Sequence, residues 1–317
     1  MRTGARLGFA LCLSVSAVGA QQEADTTFHP VIARPAWTAD KGPRLCLDEG
    51  HHNFHTLAGR FLAFGELARR DGYRVSPLRS TFTGSALAGC DLLVIANAQP
   101  NDDPWTAYPL PTPSAFTPSE VRELQGWVRR GGAMLLLADH MPLAGAAMRL
   151  AEAFGVTFTN GFAVERYDGE SARDSAFAIP TLFRTNDGTL ASHAVLAGRD
   201  STERVTRVRS FTGQAFRAAG TAVTPIMILP ATFISLQPKI AWQFGPETPR
   251  IPVGGWMQGA SLTDGRGRVA IFGEAGMFSA QLTSAAHKPM GMNAPLAEQN
   301  AQFVLNVLHW LSGVIGR

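Results

Sequence analysis

Four of the eight histidines in this 317-residue chain fall in two short segments. One reads Asp48-Glu49-Gly50-His51-His52-Asn53-Phe54-His55, and the other is Asp139-His140. Each follows a short apolar run, as do Asn97 with Gln99 and, late in the chain, Gly273-Glu274. Imidazole nitrogen together with carboxylate oxygen is a donor set that suits zinc or another first-row ion. His51 and His55 are four residues apart and would share a face if a helix began near Asn53. On this reading His51, His55 and His140 hold one divalent metal, zinc being the first expectation. Glu49, Asp139 and Glu274 are the catalytic carboxylates, completing the shell or acting as general base on a bound water. Asn53, Asn97 and Gln258 are candidate substrate contacts. The same residues suit a metal-free polar ligand site, or simply polar strand ends and helix caps.

Other catalytic signatures are missing. The chain has no G-x-S-x-G elbow, no G-x-x-x-x-G-K and no strand-linked G-x-G-x-x-G, so no nucleotide cofactor is expected. His193, His287 and His309 stand alone, and His309 beside Trp310 reads as a packed or surface residue.

The elements that must position these residues alternate. Arg44–Asp48, Tyr73–Pro77, Asp91–Ala96, Ala133–Ala138 and Arg268–Phe272 read as strands, and the third and fourth are apolar throughout. That is the pattern of strands buried on both faces. Helices are expected over Phe54–Arg70, from Thr117 to Gly131, over Ala144–Phe154 and over Gln299–Leu311. Thr117-Pro118-Ser119-Glu120 is a capping box with proline at the first helical position. Strands alternating with helices predict a doubly wound, mainly parallel sheet, in which ligands bind at the carboxyl ends of the strands. All the candidate segments follow such strands. Residues 161–260 are rich in Gly and Pro with short strand-like runs, and predict an inserted antiparallel, β-rich excursion. The loop 97–116 carries five prolines with Trp105, Tyr108 and Phe116, and leaves a strand beside the candidate site. Loops of this length in compact domains commonly carry function, so it reads as a lid or a rigid surface loop.

The first residues have a basic start at Arg2 and Arg6, an apolar run from Leu7, and small residues at Val18-Gly19-Ala20. This predicts a cleavable signal peptide over 1–20, an extended leader over 21–42 and one α/β domain over 43–317. The expected location is periplasmic or secreted, with no membrane insertion after cleavage. The formal charge is +3, and losing Arg2 and Arg6 leaves +1. A near-neutral surface without a Lys/Arg run gives no electrostatic case for nucleic acid. The expected ligand is instead a small molecule, a glycan or a peptide. Cys46 and Cys90 survive cleavage and read as two buried thiols, because disulfide geometry is demanding at strands.

The order of elements resembles the class I glutamine amidotransferase-like superfamily, whose fold is flavodoxin-like. The resemblance is to its exported bacterial members. It rests on DEGHHNFHTLAGRF at 48–61, DLLVIANA at 91–98, WVRRGGAMLLLADHMPLAGAA at 127–147, GRVAIFGEAGMFSAQ at 267–281 and MGMNAPLAEQNAQFVLNVLHWLSG at 290–313. Glutaminases of that superfamily carry a cysteine on the turn after the strand matching Ala133–Ala138. Here that turn reads Asp139-His140-Met141-Pro142, so the resemblance implies the fold without the thioester chemistry. The resulting expectation is an exported hydrolase-like enzyme with a His/carboxylate site. The alternative is a non-catalytic module that binds a glycan, peptide or partner protein at the same place.

Overall fold

The computed structural model describes residues 22–165, 181–220, 222–283 and 286–316, so the expected signal peptide lies outside the described residues. The leader supplies β1 (Gln22–Ala24). The central sheet then starts with β2 (Arg44–Asp48), β3 (Arg74–Leu78), β4 (Leu92–Ala96) and β5 (Ala133–Leu137). The β-rich stretch contributes β6 (Val156–Phe158), β7 (Phe162–Glu165), β8 (Thr181–Arg184), β9 (Arg207–Ser210), β10 (Phe216–Ala218), β11 (Thr224–Ile228), β12 (Phe233–Leu236) and β13 (Arg250–Pro252). The chain closes with β14 (Met257–Asp264), β15 (Gly267–Phe272), β16 (Ala280–Thr283) and β17 (Pro289–Gly291).

The main sheet runs β3-β2-β4-β5-β15-β14-β10-β6, with β11 also on β14. The pairs β2–β3, β2–β4, β4–β5 and β5–β15 are parallel. From β15 outward every pairing is antiparallel. The fold is thus mixed α/β, with a parallel block that passes into antiparallel strands. Smaller sheets join β13-β12-β7, β8-β9 and β1-β16-β17.

Strand alternation splits the interior into two cores. Leu45, Leu47, Val94, Leu135 and Leu137 pack with Phe64 and Leu67 of α1 (Leu62–Arg70) and with Phe303 and Val307 of the last helix, Asn300–Leu311. Cys46, Leu93, Ile95, Met134 and Leu136 face the other way. They meet Leu124 and Val128 of the capped helix Pro118–Arg129 and Leu150 of the helix Leu143–Ala153. The capping box at Thr117 and Glu120 forms as the sequence predicts.

Two expectations are corrected. The first helix starts at Leu62, not Phe54. Side chains just before this stretch bind backbone and so compete with helix formation. Asn53 Oδ1 accepts the His51 amide at 3.1 Å, and Glu49 Oε1 accepts the Leu57 amide at 2.9 Å. His51 and His55 therefore sit on a structured loop and share no helix face. Second, Cys46 and Cys90 form a disulfide with a Cα–Cα distance of 5.7 Å. Cys90 lies in the turn before β4, where its side chain is free to meet Cys46 on the neighbouring strand. The bond closes a loop of sequence separation 44. Loop-closure entropy gives such a link about 3–4 kcal/mol. A Cys46→Ala/Cys90→Ala double variant should lose about that much in urea unfolding, and an unchanged midpoint would contradict it.

The leader is clasped to the end of the chain. Asp71 accepts the Ala36 amide at 2.8 Å and lies 2.7 Å from His309 Nε2, and both side chains are fully buried. Trp37 packs edge-on against Tyr73 at 4.5 Å. Gly72, at φ +99°, is where a Cβ would strike the Trp37 carbonyl oxygen at 2.6 Å, so this close approach needs glycine. His309 is thus a packed residue remote from the strand ends that carry the candidate site.

Candidate functional site

Four strand ends converge, and the segments after β2, β4, β5 and β15 meet there. Asn97, directly after β4, is the hub. Its backbone is left-handed at φ 52°, a conformation asparagine tolerates better than most residues. Its amide accepts the Phe54 N–H on the carbonyl side and donates to the Leu137 carbonyl, tying three loops together. In its side chain, Oδ1 accepts the Asp139 amide at 2.9 Å. That bond fixes which way the amide points. Nδ2 then donates to Asp139 Oδ2 at 2.7 Å and to His55 Nδ1 at 3.1 Å.

Two histidine tautomers follow. His55 Nδ1 accepts a bond, so the neutral ring carries its proton on Nε2 and offers a donor. His140 Nδ1 lies 2.7 Å from the Met141 carbonyl and must donate, so its Nε2 offers a lone pair. Both rings are buried. Burial pushes the His55 pKa down to about 3, with the Arg60 charge adding to the effect. Burial likewise lowers that of His140 to about 4, against the bond to Met141. Both are neutral at physiological pH.

The carboxyls behave in the opposite sense. Asp139 accepts from Asn97 and from the amide of Ala275, the residue after Glu274. Burial nonetheless raises its pKa to about 7. Glu274 is buried, and its Oε2 accepts the Met277 amide at 2.8 Å. Burial and then the charge of Asp139 raise its pKa well above the ordinary value, outweighing the amides of Met277, Gly276 and Phe211. Both carboxyls are thus pushed toward their protonated forms, and Asp139 is about half ionised near pH 7. Two neighbouring carboxyls perturbed in this way are a recognised acid–base arrangement. Gly276 leaves room for this carboxyl, since a Cβ there would lie 2.4 Å from Glu274 Oε1.

Aromatic rings wall the site. His140 stacks on Phe162 at 4.3 Å and meets Trp242 and Trp105 edge-on at 4.7 and 5.7 Å. Trp105 also packs on Phe54 at 4.8 Å, and its indole N–H donates to Gln99 Oε1 at 2.6 Å. Trp242 keeps 45% of its surface exposed. The loop 97–116 therefore lends the site a wall through Trp105. It is fastened by Tyr108, whose hydroxyl donates to the Asn101 carbonyl at 2.7 Å, and by the buried Phe116.

The remaining candidates do other work. His51 is locked between two acids, with Nδ1 2.9 Å from Asp48 Oδ1 and Nε2 2.9 Å from Glu120 Oε1. Burial alone would lower its pKa, but the bonds and charges of Asp48 and Glu120 raise it. Asn53 Nδ2 braces the same Asp48 at 3.0 Å. Glu49 holds the Leu57 amide and Arg79 Nε. Gln258 lies behind Glu274, accepting from Ser210 Oγ at 2.8 Å, and is buried away from any ligand. The structure thus brings together His55, Asn97, Asp139, His140 and Glu274, and leaves Glu49, His51, Asn53 and Gln258 in supporting places.

As placed, His51, His55 and His140 do not gather into one ligand set. Both nitrogens of His51 are engaged, and His55 presents a protonated nitrogen. Among the described residues no three His, Cys, Asp or Glu side chains are grouped to hold an ion.

No protein-family model matches the chain, and no curated protein matches it. Solved structures do resemble it. The mmIFT52 N-terminal domain superposes with a TM-score of 0.57 at 13% identity, over 84% of this chain and 97% of that one. A cytoplasmic protein from Salmonella typhimurium LT2 gives a TM-score of 0.47 at 14% identity, over 84% and 98%. A ThuA-like protein from Bacteroides uniformis ATCC 8492 gives 0.46 at 10%, over 89% and 94%. ThuA-like proteins are members of the class I glutamine amidotransferase-like fold. At these identities the likeness concerns the fold alone.

Proposed function

We propose that this chain is a hydrolase-type enzyme that works by metal-free acid–base chemistry at Asp139. The observation that carries the reading is the Asp139/Glu274 pair, two adjoining carboxyls both pushed toward the protonated form, with Asp139 ionising at about 7. Asp139 keeps partial exposure, whereas Glu274 is buried behind it. Ionised Asp139 accepts a proton from water as its oxygen adds to the scissile centre. The same carboxyl then returns that proton to the leaving group. Burial keeps the proton affinity of Asp139 high, and Glu274 is a positioning residue behind it, itself pushed toward its protonated form by burial and by the Asp139 charge. His140 Nε2 offers an acceptor for a ligand hydroxyl or N–H. The rings of Trp105, Phe162 and Trp242 provide the apolar faces.

The Cys46–Cys90 disulfide supports the exported, oxidising location expected from the first residues. The order of the parallel strands and the two opposed cores support the flavodoxin-like, doubly wound reading. The rival reading, a non-catalytic module for a glycan, peptide or partner protein, draws on the exposed face of Trp242.

A panel of nitrophenyl glycosides, nitrophenyl esters and amino-acid nitroanilides separates the two. The enzyme reading expects turnover of one class, with kcat/KM falling on the acid side about a midpoint near 7, where Asp139 protonates. No turnover, together with an Asp139 carboxyl carbon that titrates like an ordinary aspartate by NMR, would leave only the binding module.

A further inference from the structure

Arg60 is a cation without an acid. Its guanidinium lies 3.8 Å above the Phe54 ring, and no ion pair joins it to any described carboxylate. Among the described residues its one hydrogen bond is a long one, from Nη1 to the Phe54 carbonyl at 3.4 Å. Its Nε is buried with no partner. A buried donor left open costs free energy, and more so on a charged group. The residue does not sit on an idle surface. Phe54 beneath it packs on Trp105 at 4.8 Å and on His55 at 5.4 Å, and Trp105 reaches His140 at 5.7 Å. Beside it, His55 Nε2 carries a proton and likewise finds no partner among the described residues.

We propose that Arg60 and His55 together bind a carboxylate carried by the substrate, resting on the acid–base reading of the same site. A guanidinium presents its N–H groups as a planar fork that matches a carboxylate with two parallel bonds. His55 adds one neutral donor. A single cation with a neutral imidazole balances one negative charge, which fits a carboxylate monoanion better than a phosphate dianion. The aromatic wall lies next to this anchor, so the carboxylate belongs on a ring-shaped or apolar body that the rings can cover. Arg60 thereby selects the substrate, and Asp139 acts on it.

The test compares probes that differ only in charge, by calorimetric titration of the mature protein at pH 8. D-Glucuronate is set against D-glucose, and benzoate against benzamide. At least one carboxylate should bind roughly tenfold tighter than its neutral partner. Arg60→Gln should erase that preference, and Arg60→Lys should retain part of it. Asp139→Asn should leave the preference in place, because it removes the proton acceptor and not the anchor. Equal binding within both pairs, or no binding of either carboxylate below about 10 mM, overturns the proposal, as does a preference that survives Arg60→Gln. The wild-type comparison stands even if an Arg60 variant fails to fold. A charge preference with no Asp139-dependent pH profile would sink the acid–base reading and leave the carboxylate anchor intact.

Discussion

Asp139→Asn protein should turn over substrate about 10²–10⁴ times more slowly than wild type, the usual span for removing a general base. The residual activity should also lose its acid limb near pH 7. The same variant should change the shape of the stability curve. Asp139 ionises at about 7 in the fold, against an ordinary value of 3.8. Between those values the native state holds a proton that the unfolded chain has released. The Asp139 contribution to wild-type stability therefore falls as pH rises from about 4 to 7 and then levels. Asp139→Asn removes that group and should flatten the slope, lying closer to wild type, or above it, at pH 8 than at pH 4. Urea unfolding across pH 4–8 reads both effects. A wild-type curve parallel to that of Asp139→Asn through this window would contradict the raised pKa.

The second large effect concerns stability rather than turnover. His51→Ala should cost about 3–5 kcal/mol, because it leaves Asp48 and Glu120 buried without the cation between them. Glu120 has its other oxygen on the Thr117 amide and hydroxyl, so it cannot turn outward without unmaking the cap of its helix. The pH window has two edges. The raised pKa of His51 stabilises the fold fully below its ordinary value of 6.5, and that contribution is lost as pH climbs through the folded value. The lowered pKa of Glu120 stabilises above 4.5 and is lost as pH falls through its folded value. The penalty for His51→Ala should thus be greatest between about 4.5 and 6.5. A penalty that is the same at every pH would show that His51 acts through packing alone.

Strands that are buried on both faces announce themselves as unbroken apolar runs, which is why Leu92–Ala96 and Ala133–Leu137 are legible before any coordinates. The capping box at Thr117 is equally local. The rule that ligands meet strand carboxyl ends then leads to Asn97, Asp139, His140 and Glu274. It fails for His51, whose residue type and spacing suggest a metal ligand. The acid that occupies its Nε2 is Glu120, 69 residues away, and that glutamate already explains itself as a helix cap. Nothing local distinguishes a glutamate that caps from one that caps and also holds a histidine. The first helix is misplaced for a related reason. The apolar spacing of Leu57, Phe61 and Phe64 continues through a loop whose backbone bonds go to the side chains of Glu49 and Asn53. Arg60 carries no signal in the sequence at all, because its meaning is the absence of a nearby acid in space. The Cys46–Cys90 bond is missed because only Cys46 sits in a strand, and Cys90, in the turn before β4, is free of the constraint that argued against pairing.

The two carboxyls of the site enter the chain at positions 139 and 274, and the whole antiparallel stretch comes between them. Contacts of such long sequence separation form late, because loop closure must precede them. During synthesis, or in any unfolded chain, Asp139 is an ordinary solvated carboxylate. Glu274 is another, with nothing to keep its proton in place. The unusual proton affinity is therefore a property of the finished topology and of no fragment that ends before β15. A chain held unfolded therefore carries two ordinary carboxylates, and the raised proton affinity comes into being only where folding is completed.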